Sequence, residues 1–148
     1  MRLNNINTNS FWQQSLIACT SLFFLRVYGQ IVVLFAQPDW LPTFTQWYSG
    51  LIAYPILVLT QLLILMLMAV INYDNLKGQG YFVIESTKKR KLVHWFSLVY
   101  FIGMLIRYML QNLLQDGWSN GLIPVIFHWV LAFYLYILTV VNHKKYNN

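Results

Sequence analysis

Three side chains that could carry chemistry stand inside otherwise apolar segments: Arg26, Arg107 and His128. Arginine presents a rigid fork of N–H donors that matches a carboxylate or a phosphate, and histidine can donate, accept or bind a metal. The sequence contains no paired carboxylates, no HExxH, no Cys-x-x-Cys and no phosphate-cradling glycine loop. These residue types therefore favour recognition of an anionic group over catalysis, and we assign no catalytic residue and no metal site.

Four apolar segments must position these side chains. The chain is 58% hydrophobic and 9% charged, whereas a soluble domain is about 25% charged. Each segment has about 20 or more residues, which is enough to cross a hydrocarbon core of about 30 Å. The sequence therefore predicts an all-α integral membrane protein with a single membrane domain over residues 1–148. The predicted helices are 12–36, 48–72, 92–114 and 121–142.

The basic residues predict the orientation of the chain. They are concentrated in two places. The connection between the second and third segments contains Lys77, Lys88, Lys89, Arg90 and Lys91, and the C-terminal tail contains Lys144 and Lys145. The other two connections contain no Lys or Arg. Positive charge is retained on the cytoplasmic side of a membrane. We expect an antiparallel four-helix bundle with both termini in the cytoplasm. The net charge of +6 is then a topology signal, and no nucleic-acid partner is expected.

Each predicted helix carries a polar stripe at helical spacing, which is typical of packing between membrane helices. Arg26, Arg107 and His128 lie on these stripes, at roughly 15, 12 and 10 Å from the ends opposite the basic connection, at 1.5 Å per residue. We call that half of the protein the outer half. The predicted binding site for an anion, lipid or cofactor consists of Arg26, Gln30, Tyr54, Arg107, Gln111 and His128.

The two arginines require a compensating partner, because a charge at the centre of a membrane helix costs ~2.5–3.5 kcal/mol on insertion scales. No acid stands beside them, since all four acids of the chain lie between the apolar segments. The partner could be water, backbone carbonyls, Asp39 or Asp116 folded inward, or an anion from outside the chain. Alternatively, each arginine could extend along the lipid to the headgroups.

The segment YFIGMLIRYML, followed by LIPVIFHWVLAFYLYIL, resembles small uncharacterised bacterial membrane proteins with four helices. In these an aromatic-x-x-G-M-x-x-R pattern precedes an I-P-x-x-F-H-x-x-L-A pattern. The matching residues here are Tyr100, Gly103, Met104, Arg107, Pro124, His128 and Ala132. The resemblance implies the sites and a bacterial inner membrane, but supplies no reaction.

The favoured function is a non-catalytic one: an accessory or assembly subunit of a larger membrane complex, or a module that binds a lipid or cofactor. The expected partners are the lipid bilayer and other membrane subunits or further copies of the chain. One alternative is electron transfer through quinone or b-type haem, with His128 and Met104 as axial ligands and the arginines on the propionates. A second alternative is a small anion transporter or channel.

Overall fold

The computed structural model describes residues 3–43, 47, 53–83, 86–114 and 122–146. The elements are α1 (Leu3–Ala36), α2 (Tyr54–Lys77), α3 (Thr87–Leu114) and α4 (Leu122–Tyr146). Each of these four helices contains a segment that is long and apolar enough to cross a membrane. The prediction of an all-helical protein with four membrane-crossing helices is thereby confirmed.

α1 and α2 begin at residues other than those predicted, each for a local reason. α2 begins at Tyr54 instead of residue 48, because Ala53 has a non-helical backbone and a proline occupies the first turn. Proline fits there because its missing N–H would have no helical partner. α1 begins at Leu3 instead of residue 12, since the polar segment before the apolar run continues the helix.

The other differences lie at the basic end, which we define as the ends of α2 and α3 that flank residues 77–91. α2 continues to Lys77, where Gly78 adopts a left-handed conformation (φ 73°) and donates its N–H to the carbonyl of Asp74 at 2.8 Å. α3 begins at Thr87 instead of residue 92, so the run of four basic residues is helical. Lysine and arginine are good helix formers, and hydropathy alone therefore underestimates these helices. α4 likewise runs from Leu122 to Tyr146, beyond the predicted end at 142.

α1 and α4 form the centre of the protein. α1 packs against both α2 and α4, whereas α3 packs against α4 alone in the part of the chain that the structure describes. In the most apolar segments, 39% of the residues are buried in α1 and in α4, compared with 17% in α2 and 6% in α3. α2 and α3 therefore lie at the two margins, and α3 presents most of its surface to the surroundings.

The hydrophobic core comes from α1, α2 and α4. Its buried residues are Leu16, Cys19, Phe23, Val27, Met68, Ile71, Tyr134, Ile137, Leu138 and Val141. The side chains of Phe23 and Tyr134 are the largest that are almost completely buried. Close packing of such side chains holds membrane helices together, because lipid tails compete equally for apolar contacts.

Hydrogen bonds between side chains connect the same three helices. The hydroxyl of Tyr134 in α4 lies 3.2 Å from the carbonyl oxygen of Met68 and 3.0 Å from Oδ1 of Asn72, both in α2. Asn72 in turn donates from Nδ2 to the hydroxyl of Thr20 in α1 at 2.8 Å. Tyr134 therefore links α4 to α2 across the core, although the backbones of these two helices are not neighbours.

The connection after α1 folds against that helix through Trp47. The Trp47 side chain is buried, and its indole N–H donates to the carbonyl of Pro42 at 3.0 Å. A Cβ placed on Gly29 would lie 3.1 Å from the Trp47 ring, which is tighter than ordinary contact. Glycine at this position thus permits the ring to lie directly on the helix backbone.

Replacing Tyr134 with Phe should lower the free energy of unfolding by about 1 kcal/mol, since interhelical hydrogen bonds in membranes are worth on average ~0.6 and at most ~1.7 kcal/mol. Unfolding in a mixed-micelle denaturant series would measure the change. Tyr28→Phe is the matched control, because Tyr28 is exposed and stacks on Phe24 in its own helix. Equal stability of the two variants would show that the Tyr134 hydroxyl does not hold α2 to α4.

Candidate anion-binding site

Arg26 lies in the middle of α1 and is buried, with 6% of its surface exposed. Its Nε atom is buried and has no hydrogen-bond partner within the described part of the chain. The guanidinium carbon lies 5.2 Å from the centre of the Phe127 ring in α4. A cation over an aromatic face gains roughly 0.5–2 kcal/mol, which does not replace the hydrogen bonds that the guanidinium lost on leaving water.

Gln30 follows Arg26 by four residues in α1, so the two residues share a face of the helix. Gln30 is 1% exposed, and both its amide oxygen and its amide nitrogen are buried without a partner within the described residues. Its backbone carbonyl accepts a hydrogen bond from the hydroxyl of Tyr54, the first residue of α2, at 3.1 Å. A second helix thus contributes to this face of α1.

α3 and α4 contribute a hydrogen-bonded pair. The hydroxyl of Tyr100 lies 2.6 Å from Nδ1 of His128, and the two rings meet edge to face with 5.9 Å between their centres. When Tyr100 donates this hydrogen bond, Nδ1 is the acceptor and the ring proton of a neutral histidine is on Nε2. Nε2 is then a hydrogen-bond donor for another group.

The charged members of the predicted site converge. Arg26 is close enough to interact electrostatically with Tyr54, Tyr100 and His128, and Arg107 with Tyr100 and His128. All four helices therefore contribute to one cluster. We call Arg26, Gln30, Tyr54, Tyr100, Arg107 and His128 the outer cluster.

Two residues that the sequence suggested are not joined to the cluster by hydrogen bonds in the described part of the chain. Gln111 and Met104 are both half-buried on α3, on either side of Arg107. Asp39, one of the acids that could have compensated Arg26, is exposed and has no ion pair with it. Asp116, the other, lies outside the described residues.

Two residues that contact the site were not in the predicted set. Tyr100 precedes Arg107 by seven residues, and its position on the polar stripe and in the aromatic-x-x-G-M-x-x-R pattern was a usable signal. Phe127 carried no such signal, because an aromatic residue in an apolar helix is ordinary.

Comparisons with models of protein families, with curated proteins and with solved structures find no match. The resemblance of the third and fourth helices to small bacterial membrane proteins accordingly stays a prediction. No group of three or more His, Cys, Asp or Glu side chains that could hold a metal ion occurs among the described residues.

Tyr100→Phe should change which nitrogen of the neutral His128 ring carries the proton, because the hydrogen-bond donor to Nδ1 is removed. Long-range ¹H–¹⁵N spectra should show mainly the Nε2-protonated ring in the unmodified protein and a mixture of the two neutral forms in the variant. His94 is an internal control, since its nearest ring is Tyr136, at 5.3 Å. Unchanged His128 signals in the variant would contradict the hydrogen bond.

Proposed function

We propose that the protein is a non-catalytic, multi-pass membrane protein whose outer cluster binds an anionic group, as a module for a lipid or cofactor or as an accessory subunit of a membrane complex. One observation carries this proposal. Arg26 is buried, its Nε lacks a hydrogen-bond partner in the described part, and its guanidinium lies over the aromatic ring of Phe127.

The composition of the cluster favours an anion over a neutral ligand. Its side chains supply two guanidinium groups, an amide and an imidazole, and none of them is a carboxylate. Apart from Asp74 near the end of α2, the four helices contain no Asp or Glu. A phosphate or carboxylate accepts paired hydrogen bonds from an arginine, and these bonds are shorter and stronger than neutral ones. Such a ligand would compensate the positive charge and the orphaned donors together.

Contacts between the helices support the antiparallel part of this proposal. Tyr54 at the start of α2 bonds to Gln30 late in α1, whereas Asn72 late in α2 bonds to the earlier Thr20. On α3 and α4, Tyr100 meets His128, whereas His94, nearer the start of α3, packs on Tyr136, further along α4. Together with the basic residues of the connection between α2 and α3, this arrangement supports cytoplasmic termini. The bacterial inner membrane that we propose follows from the sequence resemblance alone.

The exposure of α3 supports association with other membrane subunits or with further copies of the chain. A Cβ placed on Gly103 would meet nothing within 4 Å, although small residues in membrane helices ordinarily allow close helix contact. Large apolar side chains on both sides of this glycine are also exposed, including Val99, Ile102 and Ile106. Lipid or a further helix would cover this face.

The pair formed by Tyr100 and His128 favours one second candidate, a quinone site for electron transfer. When Nδ1 of His128 accepts a hydrogen bond from Tyr100, the N–H at Nε2 can donate to a carbonyl oxygen of a quinone. The same N–H can donate to an anion. Extraction of quinone from the purified protein, and an absorption spectrum for haem, would separate this candidate from the first. Haem binding would require Met104 to face His128 across a gap. For the remaining alternative, a transporter, anion flux into liposomes is the test.

Arg26→Gln and Arg107→Gln should each reduce the amount of anionic lipid, cofactor or partner that copurifies in mild detergent by about tenfold or more. The reason is that a hydrogen bond to a charged group is worth ≈ 1.5–3 kcal/mol. Quantitative mass spectrometry of the purified protein would measure the loss. Arg90→Gln is the matched control, since Arg90 lies at the basic end.

Arg26→Lys separates geometry from charge, because lysine keeps the charge and loses the planar fork of donors. We expect an intermediate loss for this variant. If both glutamine variants copurify the same molecules in the same amounts as the unmodified protein, the outer cluster does not bind an anion.

A further inference from the structure

A second cavity lies at the basic end, away from the outer cluster. It has a volume of about 760 Å³ and is bounded by α2, by the connection that follows it, by α3 and by α4. α2 and α3 do not pack against each other in the part that the structure describes, and both flank this cavity. The cavity is therefore the cleft that the two marginal helices leave over α4.

The walls that the helix interiors contribute to the cleft are apolar. They come from Ile71 in α2, Leu92 and Val93 in α3, and Leu135 and Leu138 in α4. Each of these residues belongs to one of the segments that can cross a membrane. The surface is consequently suited to hydrocarbon.

The rim of the cleft is polar and basic. Ser86 and Lys89 line it, and both residues are exposed. Lys89 belongs to the first turn of α3, next to the apolar residues one turn further along. The mouth of the cleft therefore has a hydroxyl and an ammonium group about 5–6 Å, one helical turn, above its apolar walls.

Electrostatics favours an anionic occupant at this mouth. The stretch from Asp74 to Lys91 contains five basic and two acidic residues. The carboxylate of Asp74 accepts the backbone N–H of Phe82 at 3.1 Å, which directs it into the connection. Clusters of basic residues at the end of a membrane helix attract anionic lipid headgroups at ≈ 1 kcal/mol per Lys or Arg.

The size of the cleft suits a small molecule or part of a lipid. Its volume of about 760 Å³ lies in the usual range of 300–1,000 Å³ for small-molecule pockets.

We propose that this cleft binds an anionic glycerophospholipid, with an acyl chain between α2 and α3 and the phosphate at Lys89 and Ser86. The lipid completes the packing that α2 and α3 lack on this side. This site is separate from the outer cluster and does not depend on the function proposed for it.

Titration of the purified protein with phosphatidylglycerol and with phosphatidylcholine in mixed micelles, followed by native mass spectrometry, tests the proposal. The unmodified protein should bind one phosphatidylglycerol in preference to phosphatidylcholine. Lys89→Gln should weaken phosphatidylglycerol binding by about tenfold, as expected for loss of a charge-assisted contact. The matched control Lys88→Gln removes the same charge at an exposed neighbour outside the cleft. It should weaken binding less than Lys89→Gln does, by about fivefold at most, since a basic residue that makes no direct contact contributes ≈ 1 kcal/mol.

Leu92→Trp tests the position of the acyl chain. Leu92 lines the cleft but is 72% exposed, so a larger side chain narrows the cleft without entering the core. This variant should bind phosphatidylglycerol at least fivefold more weakly, whereas Ile102→Trp, on an exposed part of α3 outside the cleft, should bind normally.

Equal effects of Lys88→Gln and Lys89→Gln, equal affinity for the two lipids, or normal binding by Leu92→Trp would each overturn the proposal. Loss of phosphatidylglycerol binding in Arg26→Gln but not in Lys89→Gln would place this lipid in the outer cluster and would likewise overturn the proposal.

Discussion

Inside a hydrocarbon core, a polar side chain that finds no partner in the protein cannot turn to water, and this constraint organises the interior of the protein. Many polar groups meet it through their own helix: the hydroxyls of Thr20 and Thr139 and the amide of Asn142 donate to carbonyls three or four residues earlier. Tyr134 and Asn72 instead find hydrogen-bond partners on neighbouring helices. These bonds fix the relative positions of α1, α2 and α4, because each donor has few alternative acceptors.

Some buried polar atoms have no partner in the described part. They occur in the outer cluster, at Arg26 and Gln30, and outside it, at Gln61 and Asn142 among others. Arg26 differs from the rest because its group is a cation, and a stable packing core gains nothing from an uncompensated guanidinium, since an apolar side chain of similar size is often as stable or more stable. The anion proposed for the outer cluster would supply the missing acceptor.

The sequence predicted the features that follow from placing apolar segments in a membrane and polar residues on one face of each helix. Helix number follows from the apolar segments, and the positions of Arg26, Arg107 and His128 follow from helical spacing. The spacing could not predict which helices meet, because all four have polar stripes and apolar faces. The contact between Arg26 and Phe127, and the marginal position of α3, depend on that choice. The helix ends at Lys77 and Thr87 depend on capping and on basic residues, which hydropathy does not describe.

The same choice of neighbours explains why the two ends of the protein present different chemistry. Because α1 and α4 pack at the centre, α2 and α3 have no direct contact in the described part, and a cleft forms where the basic connection joins them. At the other end, side chains from all four helices contribute to the outer cluster, in which Arg26 is buried and Arg107 and His128 are half-buried. Positive charge is consequently exposed above an apolar cleft at one end and buried beside unpaired donors at the other. A lipid headgroup can reach the first by lateral diffusion, whereas an anion must enter the bundle to reach the second.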